Sequence, residues 1–166
     1  MAIIYIGFSH PKAGKVGAEL IKWWSARPYS HVYIRFDSVQ IPSTVYHAAR
    51  GMVHFLATTN FVSQNIVVKE YGIELSEEKK LAILKYAISL CGQRYSSETL
   101  FKIFILELSR YINLVPKFYD SKGYICSELI GKICKDHLNI EFDKPTYLLT
   151  PANIDEKLAE ACYGTL

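Results

Sequence analysis

Cys126 stands in the run Gly123-Tyr124-Ile125-Cys126-Ser127-Glu128-Leu129-Ile130, where a glycine loop leads into an apolar-periodic stretch. A cysteine in the first turn of a helix meets the positive end of the helix dipole, which favours the thiolate, and free backbone N–H groups there can hold an oxyanion. A thiol that attacks a carbonyl needs both. On position alone, such a cysteine is more often a small packed side chain. His31, in Tyr29-Ser30-His31-Val32-Tyr33-Ile34, opens a strand-like run just after Pro28. A general base must be rigid and open to a cleft, and a strand end provides both; the plainer reading is a surface or packing histidine. His47, in Val45-Tyr46-His47-Ala48, lies on the following strand-like run. If the two runs pair antiparallel, His47 comes near His31 and can orient the imidazole through its second nitrogen, completing a triad. That depends on strand register, which the sequence does not display.

The elements that must position these groups follow from periodicity. Residues 2–8 form a short apolar run rich in Ile and Tyr, a buried strand that His10-Pro11 is expected to break, leaving His10 in a turn. A helix is predicted over 14–26, with Val16, Leu20, Trp23 and Trp24 near one face and Arg27-Pro28 ending it. In His31–Phe36, His31, Tyr33 and Arg35 point one way and Val32, Ile34 and Phe36 the other. Residues 37–43 read as a turn, Thr44–Ala49 and Met52–Ala57 as strands joined by a tight hairpin at Arg50-Gly51, and 65–73 as a further strand. A meander of antiparallel strands is thus expected to fill most of 30–73. Ser76 caps a helix that runs to Cys91 with Gly92 after it. A strongly apolar helix is predicted over 97–112, a loop over 116–123, a helix over 126–137, and a last helix after Thr150-Pro151. With strands grouped before most helices and no linker or repeat, the chain is expected to be one α+β domain spanning residues 1–166.

Composition narrows the function classes. The chain has 166 residues, half of them apolar, enough to bury a core without metal or disulfide support. Its 19 basic and 16 acidic residues are scattered, which gives no reason to expect nucleic acid as a partner. The four cysteines, Cys91, Cys126, Cys134 and Cys162, form neither a CxxC pair nor a dense disulfide framework. Residues 1–11 read as a first strand rather than a signal peptide, and no run approaches the ~18 apolar residues of a membrane span. The chain is therefore expected to be made as a soluble intracellular protein, delivered elsewhere only by another route, and membrane contact is left open without being predicted.

Taken together, "SHVYI", "VYHAA", "LCGQRY" and "YICSELI" resemble the NlpC/P60 superfamily of papain-like cysteine peptidases. The histidine-before-cysteine order is that of the circularly permuted branch, which includes bacterial YiiX-like hydrolases and relatives of lecithin:retinol acyltransferase. The resemblance covers roughly residues 1–135. It implies an antiparallel sheet packed by helices, Cys126 as nucleophile, His31 as base, His47 as the third polar residue and Tyr95 as a cleft tyrosine, with no cofactor. Tyr95 could equally be an ordinary loop residue. The segment over 97–112 departs from the family pattern, either as a lid or lipid-facing surface or, more simply, as core.

Other chemistries fare worse. On one helix Cys126 and His137 would lie roughly 16 Å apart and could share no metal. Cys134 and His137 could supply two ligands, but two more are not apparent, and no metal is expected. His54 reads as a satisfied or exposed histidine. Three functions remain: a peptidase or amidase working through a Cys126 thioester on a peptide, amide or acyl substrate, an acyltransferase or lipid-acting hydrolase with the same residues, and a binding module in which Cys126 is inert. In the first two, His31 takes the Cys126 proton and the Cys126 backbone N–H helps hold the oxyanion.

Overall fold

A computed structural model describes residues 1–38, 42–49, 51–94 and 124–163, with side chains as far as Ala161. Tyr95, Arg50, the expected helix over 97–112 and the loop over 116–123 lie outside these residues, as does the side chain of Cys162. The architecture is α+β. Among the described residues there is a five-stranded antiparallel sheet, formed by β1 (Ala2–Pro11), β2 (His31–Phe36), β3 (Thr44–Ala49), β4 (Met52–Ala57) and β5 (Asn65–Leu75) in the order β4-β3-β2-β1-β5. Five α-helices accompany it: α1 (Val16–Ser25), α2 (Thr58–Gln64), α3 (Glu77–Ser89), α4 (Cys126–Leu138) and α5 (Pro151–Tyr163).

Alternation along the strands gives the sheet two unlike faces. Ile4, Ile6, Phe8, Val32, Ile34, Tyr46, Ala48 and Val53 supply one, which is fully apolar and buried. It is covered by Ile83 and Ala87 of α3, Leu129, Ile130 and Ile133 of α4, and Ile154 and Leu158 of α5. The opposite face carries Tyr33 and Val45 packed on Phe61 of α2, together with His31 and His47. Its tightest point is Gly7, across from Tyr33 in the β1–β2 register. A Cβ there would lie 2.2 Å from the Tyr33 ring. That ring cannot yield cheaply, because it packs on Phe61 at 4.6 Å and its hydroxyl donates to Glu70 at 2.8 Å. Gly7→Ala is therefore expected to lower stability by about 2–4 kcal/mol, read by denaturant titration.

The helix cap at Ser76 forms as the sequence indicates, its hydroxyl accepting from the Lys79 N–H at 3.2 Å. Several boundaries and placements differ from expectation. β1 does not break at His10-Pro11 but runs through both. Pro11 is the last strand residue, opposite Asn65, where a missing N–H costs the ladder little, and a register shift at Phe8/Ser9 absorbs the bend. The strands do not form one continuous meander: α2 interrupts them, and β5, two residues longer than expected, returns to pair with β1 instead of β4. α1 is shorter at both ends and buries none of its residues, with Val16 81% and Trp23 77% exposed. α3 stops at Ser89, and Gly92 (φ +82°) instead serves the turn beyond it. α4 extends one residue further, to Leu138, and ends on the left-handed Asn139. No helix among the described residues is long and apolar enough to cross a membrane.

Candidate active site

α4 begins at Cys126 because Ile125 is extended (φ −98°, ψ 163°), and no side chain caps the first turn. The backbone N–H groups of Val32 on β2, of Ser127 and of Cys126 itself lie near enough to the sulfur to favour its anionic form. The helix start is further pinned by Ser127, whose buried hydroxyl donates to the Leu149 carbonyl at 2.5 Å, and by the Leu129 N–H bonding to Ile125 O at 3.0 Å. Val32 is the neighbour of the proposed base. Its N–H belongs to the peptide following His31, so the sulfur sits by the start of β2.

His31 and His47 are brought together. β2 and β3 pair antiparallel with Ile34 opposite Tyr46, which sets both histidines on the Phe61 face. His31 Nε2 and His47 Nδ1 are 3.0 Å apart, so the second nitrogen of His31 is held as a triad requires. The structure does not join Cys126 to His31 directly: among the described residues no hydrogen bond links the thiol and the imidazole. Cys126 packs with Val32 on the helix-covered face, whereas the His31 ring leans toward Phe61, centroids 6.4 Å apart. Catalytic hydrogen bonds are often long before substrate binds and tighten in the complex.

The electrostatics also correct an expectation. The helix start was expected to ease ionisation of the thiol. Cys126 is only 3% exposed, however, and burial pushes the thiol up from its ordinary value against the three N–H groups that pull it down. His31 is pulled down to about 4, first by burial and then by the charge of His54. Burial thus favours the neutral thiol and the neutral imidazole, each on its own side of β2.

His54 is a satisfied histidine, as expected, but its partner was not foreseen: His54 Nε2 is 3.2 Å from His47 Nε2, directly opposite it across β3 and β4. The signal was present: a two-residue hairpin at 50–51 pairs Ala49 with Met52 and therefore His47 with His54. Ser9 lies opposite His31, fully buried, and its hydroxyl has no hydrogen-bond partner among the described residues. Cys134 is sealed in the core with its thiol pushed up to about 12 by burial, and the His137 ring stacks on Tyr86 at 4.9 Å. Among the described residues no three His, Cys, Asp or Glu side chains converge on a metal-sized site, and Cys91, Cys126 and Cys134 are free thiols. No protein-family model and no curated protein matches the chain.

Proposed function

We propose that this chain is a thiol-dependent hydrolase that cleaves an amide bond, in a peptide, cell-wall peptide or acyl-amide, through a thioester on Cys126. The architecture proposed for it is the circularly permuted papain-like one of the NlpC/P60 superfamily, with the sheet and α4 as its central parts. The observation that carries the reading is the seat of the Cys126 sulfur. It lies at an uncapped helix start, where the backbone N–H groups of Cys126, Ser127 and Val32 favour its anion, and Val32 follows a histidine whose Nε2 is held by a second histidine.

Each part has a step. His31 accepts the Cys126 proton as the sulfur attacks the carbonyl, and His47 keeps the His31 ring aligned. The N–H groups at the start of α4 favour negative charge, first on sulfur and then on the carbonyl oxygen. His31 returns the proton to the leaving amine, and water releases the acyl group with His31 again as base. The test is turnover of a panel of peptide, acyl-amide and ester substrates by wild type, His31→Ala and His47→Ala. The reading requires the His31 variant to lose turnover by roughly 10²–10⁴-fold and the His47 variant to lose less. Transfer to an amine or alcohol in preference to water would instead assign an acyltransferase. Unchanged turnover in His31→Ala would refute the dyad.

A further inference from the structure

The three histidines of the Phe61 face form a line rather than a cluster. His31 Nε2 meets His47 Nδ1 at 3.0 Å, His47 Nε2 meets His54 Nε2 at 3.2 Å, and His54 Nδ1 meets the Met52 carbonyl at 3.3 Å. Both nitrogens of His47 and of His54 are engaged in turn, so the rings converge on no common point that a cation could occupy.

The terminal partner decides the polarity of the whole line. A carbonyl oxygen only accepts, so His54 Nδ1 must carry a hydrogen and donate it to Met52. In the neutral ring, His54 Nε2 is then an acceptor, and the hydrogen between His47 and His54 belongs to His47 Nε2. His47 Nδ1 is left as an acceptor, so the hydrogen between His31 and His47 belongs to His31 Nε2. One backbone carbonyl, acting through two rings, thus places the lone pair of His31 on Nδ1, the nitrogen not taken by His47 and the one available to a thiol.

From this geometry we infer that His54 is a positioning residue that sets the His31 tautomer and takes up the proton of the reaction at the solvent end of the line. The inference rests on the proposed thiol chemistry for its catalytic meaning, though not for the tautomers. When Cys126 Sγ–H gives its proton to His31 Nδ1, His31 Nε2–H passes to His47 Nδ1 and His47 Nε2–H passes to His54 Nε2. No proton is gained or lost. The thiolate remains under its three N–H groups, and the positive charge rests on His54, which is partly exposed. The reverse transfer restores His31 Nδ1–H to the leaving group. Burial disfavours a cation confined to His31, whereas the His54 end of the line, at its bond to the Met52 carbonyl, lies at the surface.

Among the described residues, the charged groups near this face are paired with one another. Tyr33 on β2 donates to Glu70 of β5, and the carboxylates of Glu70 and Asp37 are held by Arg35. β1 contributes neutral Ser9, α2 contributes Phe61, and α4 contributes the Cys126 thiol.

The test is ring 15N–1H correlation spectroscopy of the full chain from pH 4 to 9, with pH–rate profiles of wild type, His54→Phe and His54→Gln. The expected spectra show His54 as the Nδ1–H tautomer and His47 and His31 as Nε2–H tautomers, with the three rings changing together on protonation. Phenylalanine removes the acceptor, so kcat should fall about tenfold or more and its acid limb should move to lower pH. Glutamine can still accept from His47 and should recover part of kcat. An Nδ1–H tautomer on His31 at neutral pH, or an acid limb that moves up because only a repelling charge was removed, would overturn the inference. If instead Cys126→Ala keeps its turnover, the thiol mechanism fails while the tautomer result stands on its own.

Discussion

Replacing Cys126 with alanine is expected to lower turnover of any acyl substrate by at least about 10³-fold while leaving the fold intact. The sulfur is the atom that carries the acyl group, and the other described thiols cannot replace it: Cys134 is sealed in the core and Cys91 lies on the surface just beyond α3. The structural cost is modest. Alanine removes one small buried group and leaves the first-turn N–H groups of α4 without the sulfur, a loss of about 1–2 kcal/mol. α4 stays anchored by Leu129, Ile130 and Ile133 in the core and by the Ser127 bond to Leu149. Thermal unfolding followed beside turnover separates the two roles. A purely structural cysteine would give the same small stability loss with turnover unchanged.

Asp155→Ala is expected to be the more destabilising change, by about 3–5 kcal/mol, with a fall in Tm of about 10 °C. Asp155 sits near the start of α5, 3% exposed, and accepts hydrogen bonds from Tyr29 and from Tyr71, the latter at 2.7 Å, while pairing with Lys69. The Lys69 ammonium in turn lies over the rings of Phe8, Tyr29 and Tyr71 at 5.6, 5.5 and 5.4 Å. One carboxylate thus ties α5 to β1, β5 and the segment before β2. Alanine leaves two hydroxyls and a cation unpaired beneath the helix. Burial pulls the carboxyl upward, but Lys69 and the two tyrosine hydroxyls outweigh it and hold the group below its ordinary value. A carboxyl depressed in the folded state contributes stability above the unfolded pKa of about 3.9, and that contribution is lost as pH falls through the folded value. The Tm gap between wild type and Asp155→Ala should therefore be full at pH 6–7 and narrow below about pH 4. A gap that stays constant down to pH 2.5 would show that the ion pair contributes nothing.

How much of this was legible follows from what each feature depends on. The strands β2, β3 and β4 declare themselves by alternation and by the Arg50-Gly51 hairpin, and the start of α4 by a glycine loop before an apolar period. The meeting of His31 and His47 followed from the simplest pairing of adjacent strands. By contrast, α2 begins Thr58-Thr59-Asn60, residues of weak helical propensity, and forms because Phe61 is buried against Tyr33 and Val45. Nothing local marks it. The return of β5 to β1 is a long-range pairing that periodicity cannot express. The exposed stripe of α1 looks like a core face in sequence, because spacing tells which residues share a side and not what lies against it. The effect of burial on the Cys126 thiol was not legible for a related reason. A helix start can be recognised from local sequence, whereas the burial that outweighs it arises only when α4 closes over the sheet.

The measurement that tests the central claim most directly is trapping of the acyl-enzyme. The protein is mixed with an activated acyl ester at neutral pH, quenched in acid, and the acyl group located by peptide mass spectrometry. Cys91, exposed and unassisted, serves as the internal reference for simple thiol reactivity. The mechanism requires the adduct to appear on Cys126 faster than on Cys91, although Cys126 is buried, and to vanish from Cys126 in His31→Ala. Acylation of Cys91 with none on Cys126, or of Cys126 at an unchanged rate without His31, would contradict it.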